Sequence, residues 1–122
     1  MKIYVRKSKT DAELRAISDG VHEALVAHAN VPADDRFQIL NLLDRDQIVS
    51  HPTYGGVNRS DDLVIVEITL NAGRTVEIKK NLYADIAARL ERAGVRPDDV
   101  LISLVEVTKE NWSFGGGRAT YA

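Results

Sequence analysis

Cysteine is absent from the 122 residues, so neither disulfide bonds nor cysteine-ligated zinc can support the fold. No apolar run approaches the roughly 18 residues of a membrane span, and the opening MKIYVRKSKT alternates polar and apolar residues instead of forming a secretory leader. Charge of one sign is not in excess either, because 16 Lys and Arg face 18 Asp and Glu. This balance argues against binding to the phosphate backbone of a nucleic acid as the main function. We therefore expect a soluble cytoplasmic protein with neither a nucleic-acid nor a membrane partner.

The length and the 44% hydrophobic content favour one domain over residues 1–122. A domain of this size buries roughly two thirds of the surface of its unfolded chain, which is enough for stability without covalent links.

The sequence matches itself when it is shifted by 65 residues, the separation of Thr10 and Thr75. Apolar positions then meet apolar positions, and turn positions meet turn positions, without a gap. This pattern predicts one supersecondary unit that occurs twice, over residues 1–43 and 66–108. The matched pairs include Ile3 with Ile68, Ile17 with Leu82, Val21 with Ile86, Leu25 with Leu90, Pro32 with Pro97, Asp34 with Asp99 and Phe37 with Ile102.

Each unit reads as strand, helix and strand. In the first, Lys2 to Arg6 alternate as in a half-buried strand, and Thr10 with Glu13 forms the pattern of a capping box. In the second, Thr75 caps the helix and Gly94 ends it. The remaining predicted strands are RFQILNLL, LVIVEITL and VLISLVEV.

The predicted fold class is α/β, a four-stranded mixed sheet with two helices on one face. A hairpin or excursion covers Asp44 to Asp62, and NWSFGGGRATYA forms a C-terminal tail. A ferredoxin-like ligand sensor, with strands that alternate in direction, is the alternative arrangement. The sheet face without helices predicts self-association, with the tail aromatics as candidate anchors.

Few residues suggest chemistry by themselves. The spacing of His22, His28 and His51 does not predict a metal site, and turn chemistry accounts for the Asp34/Asp35 and Asp98/Asp99 doublets. The FGGGR segment precedes no helix and is read as flexible tail, not as a phosphate loop. Arg74 lies directly before the cap of the second helix, where it is either part of a carboxylate site or a solvated turn residue.

Several stretches resemble the tautomerase superfamily, and within it the malonate semialdehyde decarboxylase group. They cover nearly the whole chain, and VPADDRF and WSFGGGRA are the most specific of them; the others are KTDAELRAISDGVHEALV, GRTVEIKKNLY and RPDDVLISLVE. The resemblance implies a homotrimer that uses an amino-terminal proline as base or acid on small keto or unsaturated acids, with no cofactor.

The resemblance also assigns roles to individual residues. Asp35 matches the aspartate that assists the proline, and Arg74 matches the second of two arginines that hold the substrate carboxylate. Ala72 stands at the position of the first arginine. Trp112 and Phe114 match aromatic residues that wall the pocket.

The amino terminus departs from the family pattern, because the sequence opens Met1-Lys2 and has no proline before Pro32. The bulky Lys2 predicts that Met1 is retained. A neutral α-amino group of Met1 is then the first candidate base, and the Lys2 amine is the second. Two functions follow: weak tautomerase, hydratase or decarboxylase activity on a small carboxylic acid, or a non-catalytic member that binds a metabolite or scaffolds an assembly.

Overall fold

The computed structural model describes residues 1–121 and contains four strands and two long helices within them. Three single turns of 3-10 helix cover residues 45–47, 97–99 and 109–111. The strands and helices are β1 (Lys2–Arg6), α1 (Asp11–His28), β2 (Ile39–Leu43), β3 (Val64–Asn71), α2 (Val76–Arg92) and β4 (Val100–Val107).

The four strands form one mixed sheet in the order β2-β1-β3-β4. Within each predicted unit the two strands pair in parallel, β1 with β2 and β3 with β4. The two units join through an antiparallel pairing of β1 with β3, in which Ile3 lies opposite Val66. The ferredoxin-like alternative was wrong, because it requires strands that alternate in direction and Ile3 instead pairs in parallel with Leu40.

Both helices begin at the predicted caps. Thr10 accepts a hydrogen bond from the Glu13 backbone, and the Glu13 carboxylate accepts one from the Thr10 N–H at 2.9 Å, so the capping box is confirmed. The Thr75 hydroxyl accepts from the Ile78 N–H at 3.2 Å. Gly94 follows α2 with a φ of 93°, a left-handed conformation that glycine adopts without strain.

The core lies between the helices and one face of the sheet. Because side chains alternate along a strand, Ile3 and Val5 of β1 share this face with alternate residues of β3. The buried strand residues are Ile3, Val5, Val64, Val66, Ile68 and Leu70, and the buried helix residues that contact them include Ile17, Val21, Leu25, Leu82, Ile86 and Leu90. Within residues 1–121, no helix has both the length and the apolar character needed to cross a membrane.

The segment between the two units is an irregular excursion, the second of the two predicted forms, and not a hairpin. Residues 44–62 contain no strand, and side chains of the first unit hold their backbone instead. Arg6 Nε donates to the Asp61 carbonyl at 2.8 Å and Arg6 Nη1 donates to the Arg45 carbonyl at 2.6 Å. The Lys9 ammonium, whose side chain is only 6% exposed, contacts Asp62 at 2.7 Å.

A buried carboxylate ties the excursion to the start of β4. Asp99 is fully buried, and its oxygens accept from the Ser60 N–H at 2.7 Å and the Ser60 hydroxyl at 2.6 Å. The Arg96 guanidinium lies 3.5 Å away. The aspartate predicted as a turn residue therefore also holds two distant segments together.

We expect Asp99→Ala to lower the free energy of unfolding by about 2–4 kcal/mol, because it leaves two donors of Ser60 and the Arg96 charge without their partner. Urea unfolding measures this loss. Asp98→Ala is the matched control, since Asp98 accepts one hydrogen bond, from the Asn58 N–H, at a less buried position. Equal losses in the two variants would contradict a special role for Asp99.

Candidate functional site

A cavity of about 120 Å³ opens where the start of β1 meets the end of β3. Its inner wall is apolar, its outer wall is aromatic, and the polar groups lie between them. The lining residues are Met1, Leu25, Val31, Asp35, Phe37, Ile68, Thr69, Leu70, Asn71, Arg74, Trp112, Phe114 and Tyr121.

The α-amino group of Met1 is held in place at this cavity. It donates to the Phe37 carbonyl at 2.7 Å, and the Met1 carbonyl accepts from the Ile39 N–H at 3.0 Å. The amide of Gln38 contacts the Met1 sulfur at 3.3 Å while it also donates to the Ser18 carbonyl. Partial burial lowers the pKa of the Met1 amine, helped by the Lys2 charge and opposed by Asp35 and Glu67. The amine therefore sheds its proton more readily than an ordinary terminal amine.

Asp35 lies between two residues, Ala33 and Arg36, that contact side chains of α1. His22 is 7% exposed, and its Nε2 contacts the Ala33 carbonyl at 2.8 Å, so Nε2 carries the hydrogen. Arg36 Nη2 donates to the Asp19 carboxylate at 2.6 Å. These contacts fix the backbone on both sides of Asp35, whose half-buried carboxylate makes no hydrogen bond within residues 1–121.

Arg74 reaches the cavity from the loop before α2 and also completes the end of α1. Its Nε and Nη2 both donate to the Ala29 carbonyl, at 2.9 Å and 2.7 Å. Its Nη1 donates to the Asn71 carbonyl at 2.8 Å. A guanidinium has five N–H groups, so two of the five are left for a ligand. The guanidinium is thus rigidly held and still able to bind a carboxylate.

Aromatic side chains of the tail close the outer side of the cavity. Trp112 and Phe114 stack with ring centres 5.4 Å apart, and Phe37 stacks on Phe114 at 6.0 Å. Tyr121 meets the Phe114 ring edge-on at 5.4 Å. The indole N–H of Trp112 donates to Asn71 Oδ1 at 2.7 Å and ties this wall to the end of β3.

The structure brings five of the six predicted site residues to one cavity: Met1, Asp35, Arg74, Trp112 and Phe114. Lys2 lies elsewhere, because Ile3 faces the helices and alternation turns the exposed Lys2 to the opposite face of the sheet. There it lines an open groove with Arg36 and Glu67. No group of three or more metal-binding side chains is found in the described part of the chain.

Sequence reasoning missed eight of the 13 lining residues, and three of these eight bring aromatic or amide groups to the cavity. Phe37 and Tyr121 are aromatic residues near the predicted motifs, and aromatic content in the tail was the signal available for Tyr121. For Asn71, the sequence offers no signal beyond its position at the end of a strand. Ala72, at the position assigned to a first arginine, does not line the cavity; its N–H donates to the Val107 carbonyl at 2.8 Å.

The chain belongs to the tautomerase superfamily, in the group similar to malonate semialdehyde decarboxylase, and it has the tautomerase fold. The profile of the family described as "Tautomerase enzyme" matches residues 35–115, and a second profile with the same description matches residues 1–57.

Individual relatives agree with this assignment over nearly the whole chain. The probable tautomerase YusQ of Bacillus subtilis (strain 168) is 38% identical over 120 residues, which cover 98% of this chain and 94% of the relative. The crystal structure of FG41 malonate semialdehyde decarboxylase inhibited by 3-bromopropiolate is 40% identical, with a TM-score of 0.91 and coverage of 98% and 92%. A symmetric trimer of fused 4-OT, 22% identical with a TM-score of 0.81 and coverage of 98% and 95%, shares the fold.

Proposed function

We propose that this protein binds a small keto or unsaturated carboxylic acid and transfers a proton in its reaction. A tautomerase moves that proton between two atoms of the substrate, a hydratase transfers it while water adds to a double bond, and a decarboxylase delivers it to the carbon that loses carbon dioxide. The observation that carries the proposal is the meeting of an amine, a carboxylate and a guanidinium, from Met1, Asp35 and Arg74, in one cavity. An acid, a base and an anion-binding group are the parts that such proton transfer requires.

The size of the cavity supports a small substrate. An apolar cavity of roughly 150 Å³ accepts benzene, a molecule of six non-hydrogen atoms. The cavity of about 120 Å³ therefore suits an acid of three or four carbon atoms, with larger ligands extending through its open side.

Each polar group has a separate role in the proposed reaction. The two remaining N–H groups of Arg74 bind the substrate carboxylate and fix its orientation. The neutral Met1 amine accepts a proton from one atom of the substrate and returns it to another. The Asp35 carboxylate orients a water molecule by accepting a hydrogen bond from it, and the aromatic wall of Trp112 and Phe114 excludes bulk solvent.

We also propose that the chain assembles as a homotrimer. Within residues 1–121 no helix covers the other face of the sheet, and Leu101 and Val105 of the edge strand β4 are 37% and 44% exposed on it. A face of this kind is typically covered in an assembly. The trimeric fused 4-OT structure supports this number of subunits, because it shares the fold.

We expect Asp35→Asn to lower kcat/KM for the ketonisation of a small aryl enol acid by about 10- to 100-fold, because a charge that acts on the amine and the substrate is lost. Ultraviolet absorbance of the enol measures the rate. Asp34→Asn is the matched control, since it makes the same change at an exposed neighbour that does not line the cavity. Native mass spectrometry reports whether each variant is a trimer. Equal rates in wild type and both variants would contradict the proposal.

A non-catalytic role as a metabolite-binding member is the second candidate. It is favoured by the commitment of three Arg74 N–H groups to backbone carbonyls, a structural task that leaves fewer donors for a substrate. Carboxylic acids that raise the melting temperature without any turnover would favour this role over catalysis.

A further inference from the structure

The end of β3 carries a polar group that none of the roles above uses. Asn71 lines the cavity, and its backbone carbonyl accepts from Arg74 Nη1 at 2.8 Å. Its side chain therefore lies beside the residue that binds the carboxylate in the proposed function.

The orientation of the Asn71 amide follows from its partner. The indole N–H of Trp112 can only donate, and it lies 2.7 Å from the Asn71 side chain, so the acceptor there must be Oδ1. This places the Nδ2 group on the other side of the amide. Within residues 1–121, Nδ2 has no hydrogen-bond partner. Nδ2 is therefore an oriented donor at the cavity that is available to a ligand with an oxygen acceptor.

We propose that Asn71 determines specificity: Nδ2 donates to an oxo or enol oxygen close to the carboxylate of the ligand. The site then distinguishes oxo acids from acids of the same shape that lack this oxygen. This inference rests on the proposed function, because it assumes that Arg74 holds the carboxylate. It adds that the ligand must carry a second oxygen acceptor near that group.

Two acids of equal size test the inference. Pyruvate and 2-methylpropanoate each have six non-hydrogen atoms, and a methyl group replaces the oxo oxygen in the second. We expect the wild-type protein to bind pyruvate about 10-fold more tightly, as measured by isothermal titration calorimetry. In Asn71→Asp the preference should fall to about 2-fold or less. The new carboxylate still accepts from Trp112 but offers no donor, and its charge weakens both acids alike.

A second variant tests whether Asn71 determines specificity or only supports the aromatic wall through its hydrogen bond with Trp112. Trp112→Phe keeps the Asn71 donor but removes the N–H that orients it, so we expect a preference between those of wild type and Asn71→Asp. Unchanged tryptophan fluorescence in Asn71→Asp would show that the wall is intact. An undiminished pyruvate preference in Asn71→Asp, or equal binding of the two acids by wild type, would overturn the inference alone. Failure of wild type to bind either acid would contradict the proposed function and the inference with it.

Discussion

Addition of one glycine before Met1 is expected to lower kcat/KM for enol ketonisation by about 100-fold or more, the range of a lost general base. The Met1 nitrogen lies 2.7 Å from the Phe37 carbonyl at the edge of the cavity. An added residue turns this nitrogen into an amide, which accepts no proton near neutral pH. A cleavable extension whose removal regenerates Met1 is the matched control, and intact mass confirms each form. Full activity in the extended form would exclude the Met1 amine as the base.

The same amine predicts the pH dependence of the reaction. Only its neutral form accepts a proton, so kcat/KM should fall as the pH drops through the pKa of the amine. Burial lowers that pKa, which places the fall below the value of about 8 usual for a terminal amine. The stability of the fold should change in the same direction. The unfolded chain binds the proton more tightly, so the free energy of unfolding decreases as the pH falls through about 8 toward the lower pKa of the folded chain.

Replacement of Arg74 by alanine is expected to lower kcat/KM by about 100-fold or more, since it removes the group that binds and orients the carboxylate. It should also lower the free energy of unfolding by about 1–3 kcal/mol, because the Ala29 and Asn71 carbonyls lose their donors. Steady-state rates well below the melting temperature separate the two effects.

Arg74→Lys is the control for charge. Lysine keeps the positive charge but lacks the planar fork that binds two carbonyls and a carboxylate at once, so its rate should lie between those of wild type and Arg74→Ala. Rates in both variants that match wild type would place carboxylate binding elsewhere in the cavity.

Much of the fold could be predicted because its signals are local. The hydroxyl of Thr10 or Thr75 at a helix start and the left-handed Gly94 at a helix end each act within a few residues. The excursion over residues 44–62 could not be predicted as easily. Its shape depends on Arg6, Lys9 and Asp99, which are distant in the sequence and reach it through side chains.

The candidate site divides in a similar way. Motif resemblance indicated Asp35, Arg74 and Trp112, and the pairing of β1 with β3 brings Met1 to them. Asn71 carries no local signal, since its importance arises from contact with Trp112, far along the chain. The placement of Lys2 on the opposite face of the sheet follows from strand alternation, because Ile3 faces the core.

The two strand-helix-strand units place comparable residues at the ends of β1 and β3, but only those at the end of β3 line the cavity described above. Shifted by 65 residues, Arg74 and Asn71 correspond to Lys9 and Arg6. Those two cations are already neutralised or capped by residues 44–62, the connecting segment itself. The excursion over residues 44–62 thus takes up the hydrogen bonds of Arg6 and Lys9. We therefore expect one small acid to bind per polypeptide.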